Sequence, residues 1–163
     1  MSEPAVEPGE AVPGQAVVRA SWYGTAAFSV LAVGAAIVPD VLAAPSAVLD
    51  LLLFAAGFVA FCWSLLRAAD RSRTEELSIA GLWFLAGGSA PRRVQRDLLV
   101  PLGVQVVVGV ATAAVRPFTL LAFGILVPLY GLALCGVWAA AFGTFAPRRQ
   151  APSASGRRPR PDR

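Results

Sequence analysis

The chain has 163 residues, 56% of them hydrophobic and 15% charged, with a mean hydropathy of +0.64. Soluble domains carry about 25% charge mixed through the sequence, so this composition excludes an ordinary soluble globule; its apolar content excludes disorder over most of its length, and two cysteines exclude a disulfide scaffold. The net charge is +4 with no histidine, and all the basic residues are arginines, twelve of the 14 lying in two patches that abut apolar runs or in one terminal tail. That placement sets membrane topology and does not resemble a nucleic-acid surface.

Residues 1–18 hold Glu3, Glu7 and Glu10 among prolines and glycines, which reads as a disordered acidic tail. The acidic start does not fit a cleaved secretory signal. A transmembrane domain is expected over residues 19–146. Its first span covers about residues 22–43, with Trp22 and Tyr23 at an interface, and its second about residues 47–66, each long enough for a hydrocarbon core of about 30 Å at about 1.5 Å per residue.

Residues 67–97 form a loop with an apolar stretch at 77–86. Even extended to Ala90 it reaches only about 21 Å as a helix, too short to span. The reading is an interfacial or re-entrant helix over residues 74–90, capped by Thr74, with Glu75 and Glu76 in its first turn, Trp83 and Phe84 as anchors, and Gly87–Gly88 as its stop. A short strand pair is the competing reading.

The third and fourth spans cover about residues 98–115 and 118–145, joined so tightly by Arg116 and Pro117 that they must be antiparallel neighbours. Pro101 is expected in the first turn of the third. Pro128 should kink the fourth and free a carbonyl near Gly124. Residues 147–163 read as a disordered basic tail. The expected fold is therefore all-α: an integral membrane four-helix bundle of two antiparallel hairpins, with a cytoplasmic interfacial helix between spans two and three.

Orientation follows from the arginines. Arg67, Arg71, Arg73, Arg92, Arg93 and Arg96 in the central loop share one side with Arg19 and the carboxy tail, leaving Arg116 alone opposite. Both termini are expected in the cytoplasm, and the membrane to be the bacterial cytoplasmic membrane. Arginine used everywhere in place of lysine suggests a GC-rich genome.

Asp40, Asp50 and Arg116 map to the outer boundary, where they either mark helix ends in the headgroup zone or form an ionic latch between the hairpins; a latch is favoured over an ion vestibule. Arg92, Arg93 and Arg96 are candidates for contact with anionic lipid or a partner, the plainer reading being topology alone. Cys62 and Cys135 read as packing residues. Small residues recur at four-residue spacing, as in Ala56 and Ala60 or Gly109 and Ala113, which suits close helix approach. Without histidine, lysine or a CxxC pair, no metal site or cofactor is implied, and the common catalytic arrangements are absent.

The segments Leu77-Ser78-Ile79-Ala80-Gly81-Leu82-Trp83-Phe84, Ala90-Pro91-Arg92, Val115-Arg116-Pro117-Phe118, Leu121 to Pro128, and Phe142-Gly143-Thr144-Phe145-Ala146-Pro147-Arg148 resemble small uncharacterised four-span integral membrane proteins of actinobacteria. The resemblance covers a little under half of the chain. It implies a four-span inner-membrane protein and transfers no activity or functional residue.

The functional expectation is a non-catalytic accessory or scaffold subunit whose partners are the lipid bilayer and another membrane protein or a second copy of itself, with no nucleic acid. The alternative is a small transporter or channel subunit acting as an oligomer. Asp40 and Asp50 are expected only near span ends, with no acidic residue deeper inside a span, and this separates the two, because ion coupling calls for a carboxylate at mid-depth.

Overall fold

The computed structural model describes residues 13–73, 75 and 78–147. The two tails beyond these limits, with Thr74, Glu76 and Leu77, lie outside the described residues. Four long helical stretches, Gln15–Ile37, Pro39–Arg71, Arg92–Val115 and Leu120–Phe142, are long and apolar enough to cross a membrane. Among the described residues there is no strand, only an isolated bridge between Glu75 and Pro147.

Helix α1 (Gln15–Ile37) starts within the stretch read as an acidic tail. Its first turn is held from outside: Trp138 Nε1 donates to the Pro13 carbonyl at 3.1 Å. Its buried residues, Ser21, Thr25, Phe28, Ala32 and Ala35, follow the helical repeat along one stripe. The helix ends at Val38, earlier than the sequence suggested. A residue before proline is disfavoured in the helical region, and Val38, at φ −124° and ψ 71°, leaves it just before Pro39.

Helix α2 (Pro39–Arg71) opens on that proline at its first position, where the missing N–H costs nothing. Residues 39–43, assigned above to the first span, belong to it. Its 33 residues extend about 50 Å at 1.5 Å per residue, well beyond a bilayer core of about 30 Å. Pro45, read as part of the connection, sits inside the helix.

The short helix α3 (Ile79–Trp83) replaces the longer element read at 74–90. It is capped by Ser78, whose Oγ accepts from the Gly81 N–H at 2.9 Å. It stops before the glycines because Leu85, at φ 53°, turns the chain back and buries its side chain. Of the two expected anchors, Phe84 is exposed, whereas Trp83 stacks on Phe61 of α2 with ring centroids 4.5 Å apart.

Helix α4 (Arg92–Val115) begins earlier than expected, so Arg92, Arg93 and Arg96 occupy its first two turns and Pro101 is internal and buried. Arg116, at φ −134° and ψ 69° ahead of Pro117, ends it as Val38 ends α1. The fourth crossing is not one bent α-helix. A 3-10 helix, Leu120–Leu126, precedes α5 (Pro128–Phe142). Pro128 has no N–H for the Gly124 carbonyl; the Val127 N–H takes it instead at 3.2 Å, which tightens the turn to the 3-10 pattern.

Helix α2 packs most extensively on α5, and α1 lies against both α2 and α4. Two glycines set the closest approaches. A Cβ on Gly109 would lie 2.7 Å from the Gly124 carbonyl oxygen, and one on Gly57 would lie 2.6 Å from Tyr130 Cα. Backbone contact of this kind replaces the hydrophobic effect as a source of helix association in lipid. Pro39, Asp40 and Arg116 gather at one end of the molecule, the turn end; Pro13, Gly88 and Thr144 gather at the other, the terminus end.

The Gly109 contact makes a direct test. Gly109→Ala forces α4 away from the 3-10 helix and is expected to destabilise the protein by about 1–3 kcal/mol. Gly103→Ala, with nothing within 4 Å of the added methyl, should be neutral or stabilising by up to about 1 kcal/mol. Thermal unfolding of both variants in one detergent reads the difference.

Candidate functional site

Asp50 is the residue whose position departs most from the sequence reading. Because α2 begins at Pro39, Asp50 lies about 15 Å further along the helix than Asp40, roughly half the depth of a hydrocarbon core. It is 1% exposed and belongs to the buried stripe Ser46, Ala47, Asp50, Gly57, Ser64 and Ala68, toward the stripe's turn end. One carboxylate oxygen, Oδ2, would be 3.7 Å from a Cβ on Gly124 of the 3-10 helix, and the Phe28 ring of α1 closes over the same glycine. The other oxygen, Oδ1, is buried with no hydrogen-bond partner, as is the Ser46 hydroxyl one turn nearer the turn end. The expectation that Asp50 marks a helix end is thereby corrected, since α2 starts at Pro39 and not near residue 47, and the carboxylate is buried among the helices.

The three residues of the expected latch are not brought together. Asp40 and Arg116 line one hollow of about 570 Å³ at the turn end, with Pro39, Ala43, Phe118 and Leu121. Among the described residues the ion pairs are Arg71–Glu75, Arg93–Asp97 and Arg96–Asp97, so no carboxylate is within 4.0 Å of Arg116. Asp50 lies deeper, below Leu121.

A second buried polar group crosses the interior from α4. Gln105, fully buried, donates from Nε2 to Thr25 Oγ1 of α1 at 2.6 Å and accepts from the Gly131 N–H of α5 at 3.2 Å. One amide thus joins three helices. Tyr130 adds a further link, its hydroxyl donating to the Ala20 carbonyl at 2.9 Å.

At the terminus end Arg71 closes the last turn of α5. Its guanidinium donates to the carbonyls of Ala140 at 3.0 Å and Gly143 at 2.9 Å, pairs with Glu75 at 2.8 Å, and covers the Phe145 ring. These are the carbonyls a helix terminus leaves without partners, and a cation there also opposes the helix dipole. Sequence reading counted Arg71 only as a topology signal. By contrast Arg93 and Arg96 reach Asp97 at 4.0 Å and 3.9 Å with side chains 82% and 75% exposed, and Arg92 is exposed at the start of α4. They remain available to a headgroup or a partner.

Cys62 is exposed on α2 and Cys135 buried in α5, both as free thiols. No group of three histidine, cysteine, aspartate or glutamate residues able to hold a metal ion occurs among the described residues. No known family, curated protein or solved structure matches the chain.

Arg71→Ala leaves the final carbonyls of α5 without their donor and is expected to cost about 1–3 kcal/mol. Arg71→Lys should recover only part, because an ammonium cannot reproduce the planar fork. Chemical denaturation in mixed micelles, followed by tryptophan fluorescence, measures both.

Proposed function

We propose that the four crossing helices form an antiparallel bundle in the bacterial cytoplasmic membrane, with both termini and α3 on the cytoplasmic side. The arginine distribution supports this: Arg19, Arg67, Arg71, Arg73, Arg92, Arg93 and Arg96 belong to the terminus end and Arg116 to the turn end. On this reading α3 is the interfacial element.

Within that frame the chain works as a small transport or channel subunit that handles a cation. The observation that carries this is the inward-facing Asp50 carboxylate, about 15 Å along α2 from Asp40 and, among the described residues, without a protein cation beside it. Ionisable groups inside a bilayer are costly and mark ion pathways. An aspartate serving only to recruit a partner helix would face lipid; this one faces α1 and the 3-10 helix. A carboxylate buried among the helices weighs against the accessory reading. It is favoured only by the exposed guanidiniums of Arg93 and Arg96, which suit anionic headgroups or an acidic partner surface. Neither role calls for catalysis, a cofactor or nucleic acid.

Two measurements test these statements. With Cys62 replaced by serine, Phe118→Cys should react with a membrane-impermeant maleimide on intact cells, and Gln95→Cys only after permeabilisation; the reverse pattern inverts the topology. Purified protein in vesicles carrying separate proton, sodium or potassium dyes should dissipate at least one imposed gradient faster than protein-free vesicles. Asp50→Asn should return that rate to the protein-free level, with helical content and unfolding temperature retained. Equal rates for all three ions with and without protein would overturn the transport reading.

A further inference from the structure

We infer that Asp50 is a proton-binding site loaded from the turn end, through the hollow between Asp40 and Arg116, and that Leu121 is the apolar plug between that hollow and the carboxylate. The biological use of such a site rests on the transport reading above; its chemistry and geometry do not.

The route is written on two facing elements. On α2, Pro39 and Ala43 line the hollow. Ser46 and Asp50 follow on the same face at helical spacing, both buried, each with an oxygen that lacks a partner. On the 3-10 helix, Leu121 lines the hollow and is 2% exposed, while Gly124 lies beside the Asp50 carboxylate. Residues three apart in a 3-10 helix stand one above the other, so Leu121 and Gly124 share a face and the barrier is one side chain thick. Gly124 has no side chain of its own to occupy the space beside Asp50. Toward the terminus end the α2 stripe continues as Gly57, Ser64 and Ala68, and the Ser64 hydroxyl is already committed to the Phe61 carbonyl at 2.8 Å. On α2, buried polar groups without partners run from Asp50 toward the turn end only; on α1 the hydroxyls of Ser21 and Ser29 are also buried without partners, and a side-resolved acid step decides between the two directions.

The chemistry selects a proton over a metal ion. Hard cations take six or more oxygen ligands, whereas Asp50 and Ser46 are the only oxygen-bearing side chains on this face of α2 between the hollow and Gly57, and no metal-holding cluster occurs among the described residues. No titratable group competes for the proton from the packed elements. Helix α1 presents Phe28 and Ala32, the 3-10 helix presents Gly124, and α4 presents the neutral side chains of Gln105 and Thr112. Helix α5 presents Tyr130, whose hydroxyl hydrogen is engaged by Ala20. Asp40 and Arg116 stay at the mouth, where they act on a proton entering from water. In the transfer, a hydronium ion in the hollow gives a proton to the Ser46 hydroxyl and becomes water, and Ser46, which has no hydrogen-bond partner at rest, rotates to release its own proton to the Asp50 carboxylate. Serine is unchanged and one carboxylate becomes one carboxylic acid.

The test uses the full chain in lipid nanodiscs and vesicles, read by difference infrared spectroscopy after an acid step. Wild type should show a protonated-carboxyl band that Asp50→Asn abolishes. Asp50→Glu should move that band in frequency, which keeps the assignment testable if the asparagine variant folds poorly. Leu121→Ala should speed the band's appearance several-fold, Leu121→Phe should slow it, and Ser46→Ala should slow it without changing its final amplitude. In vesicles of known orientation the band should follow the pH on the side that labels Phe118→Cys. A band that survives Asp50→Asn, a rate indifferent to Leu121, or a response to the other side overturns the proposal. If the band behaves as expected while no ion gradient is dissipated, the proton site stands and the transport reading fails.

Discussion

A chain in hydrocarbon has no water to satisfy a backbone N–H or C=O, so every residue that cannot join the helical ladder decides where a crossing begins, ends or changes form. In this protein those residues are prolines. Val38 and Arg116 adopt nearly the same non-helical geometry, each ahead of a proline, and each closes a helix at the turn end. Pro128 acts differently. Val127 before it stays helical at φ −62° and ψ −34°, and the lost hydrogen bond is made good by a 3-10 turn. The carbonyl displaced there, that of Gly124, is accommodated because Gly109 of α4 has no side chain to strike it. One imino acid in the fourth crossing thus fixes the approach of a neighbouring helix.

That local change also creates the space around Asp50. A 3-10 helix rises faster and turns more tightly than an α-helix, so Leu121 and Gly124 stack on one face instead of diverging around it. The stacked pair places a bulky apolar group above a bare backbone, with the carboxylate beside the latter. The interior is polar elsewhere as well, but of a different kind. Gln105 has both ends of its amide engaged, which makes it a cross-link; Asp50 and Ser46 each keep an oxygen free of any partner. In lipid the first kind of group contributes to association, with measured interhelical hydrogen bonds averaging about 0.6 kcal/mol. The second kind brings only the cost of burial, and a group retained at such a cost is a candidate for function.

Hydrophobic run length carried the four crossings, because span length is set by the bilayer and not by the sequence's finer choices. The Pro128 irregularity near Gly124 was also legible, since it follows from the missing donor alone. Helix ends at the turn end were not. Pro39 and Asp40 read as the end of the first span and Pro45 as part of a connection, yet a proline at the first position of a helix suits its start, and Pro45 is absorbed inside α2. That displacement of the helix start by several residues puts Asp50 about three turns into α2 and not at its entrance. The pattern that identifies it was present: Ser46, Asp50, Gly57, Ser64 and Ala68 recur at helical spacing in a run otherwise rich in large apolar residues. Arg71 escaped notice for another reason. Its partners are carbonyls of α5, about seventy residues away in the chain, and backbone acceptors leave no trace in a list of side chains.

The same geometry explains why the charges at the turn end do not form a latch. Asp40 stands at the start of α2 and Arg116 at the end of α4, separated by a hollow that the short 3-10 segment fails to fill. An α-helical start to the fourth crossing would have risen more slowly per residue, leaving more side chains to occupy that volume. The hollow is therefore a consequence of the Pro128 turn, as is the exposure of the Gly124 face to Asp50. The Pro128 turn thus sets Leu121 and the bare Gly124 backbone against α2, while Pro39 and Pro117 place the charges of Asp40 and Arg116 at the mouth. The alignment along α2 then follows from helical periodicity alone, since Ala43, Ser46 and Asp50 fall on one face of a helix that starts where Val38 ends the one before it.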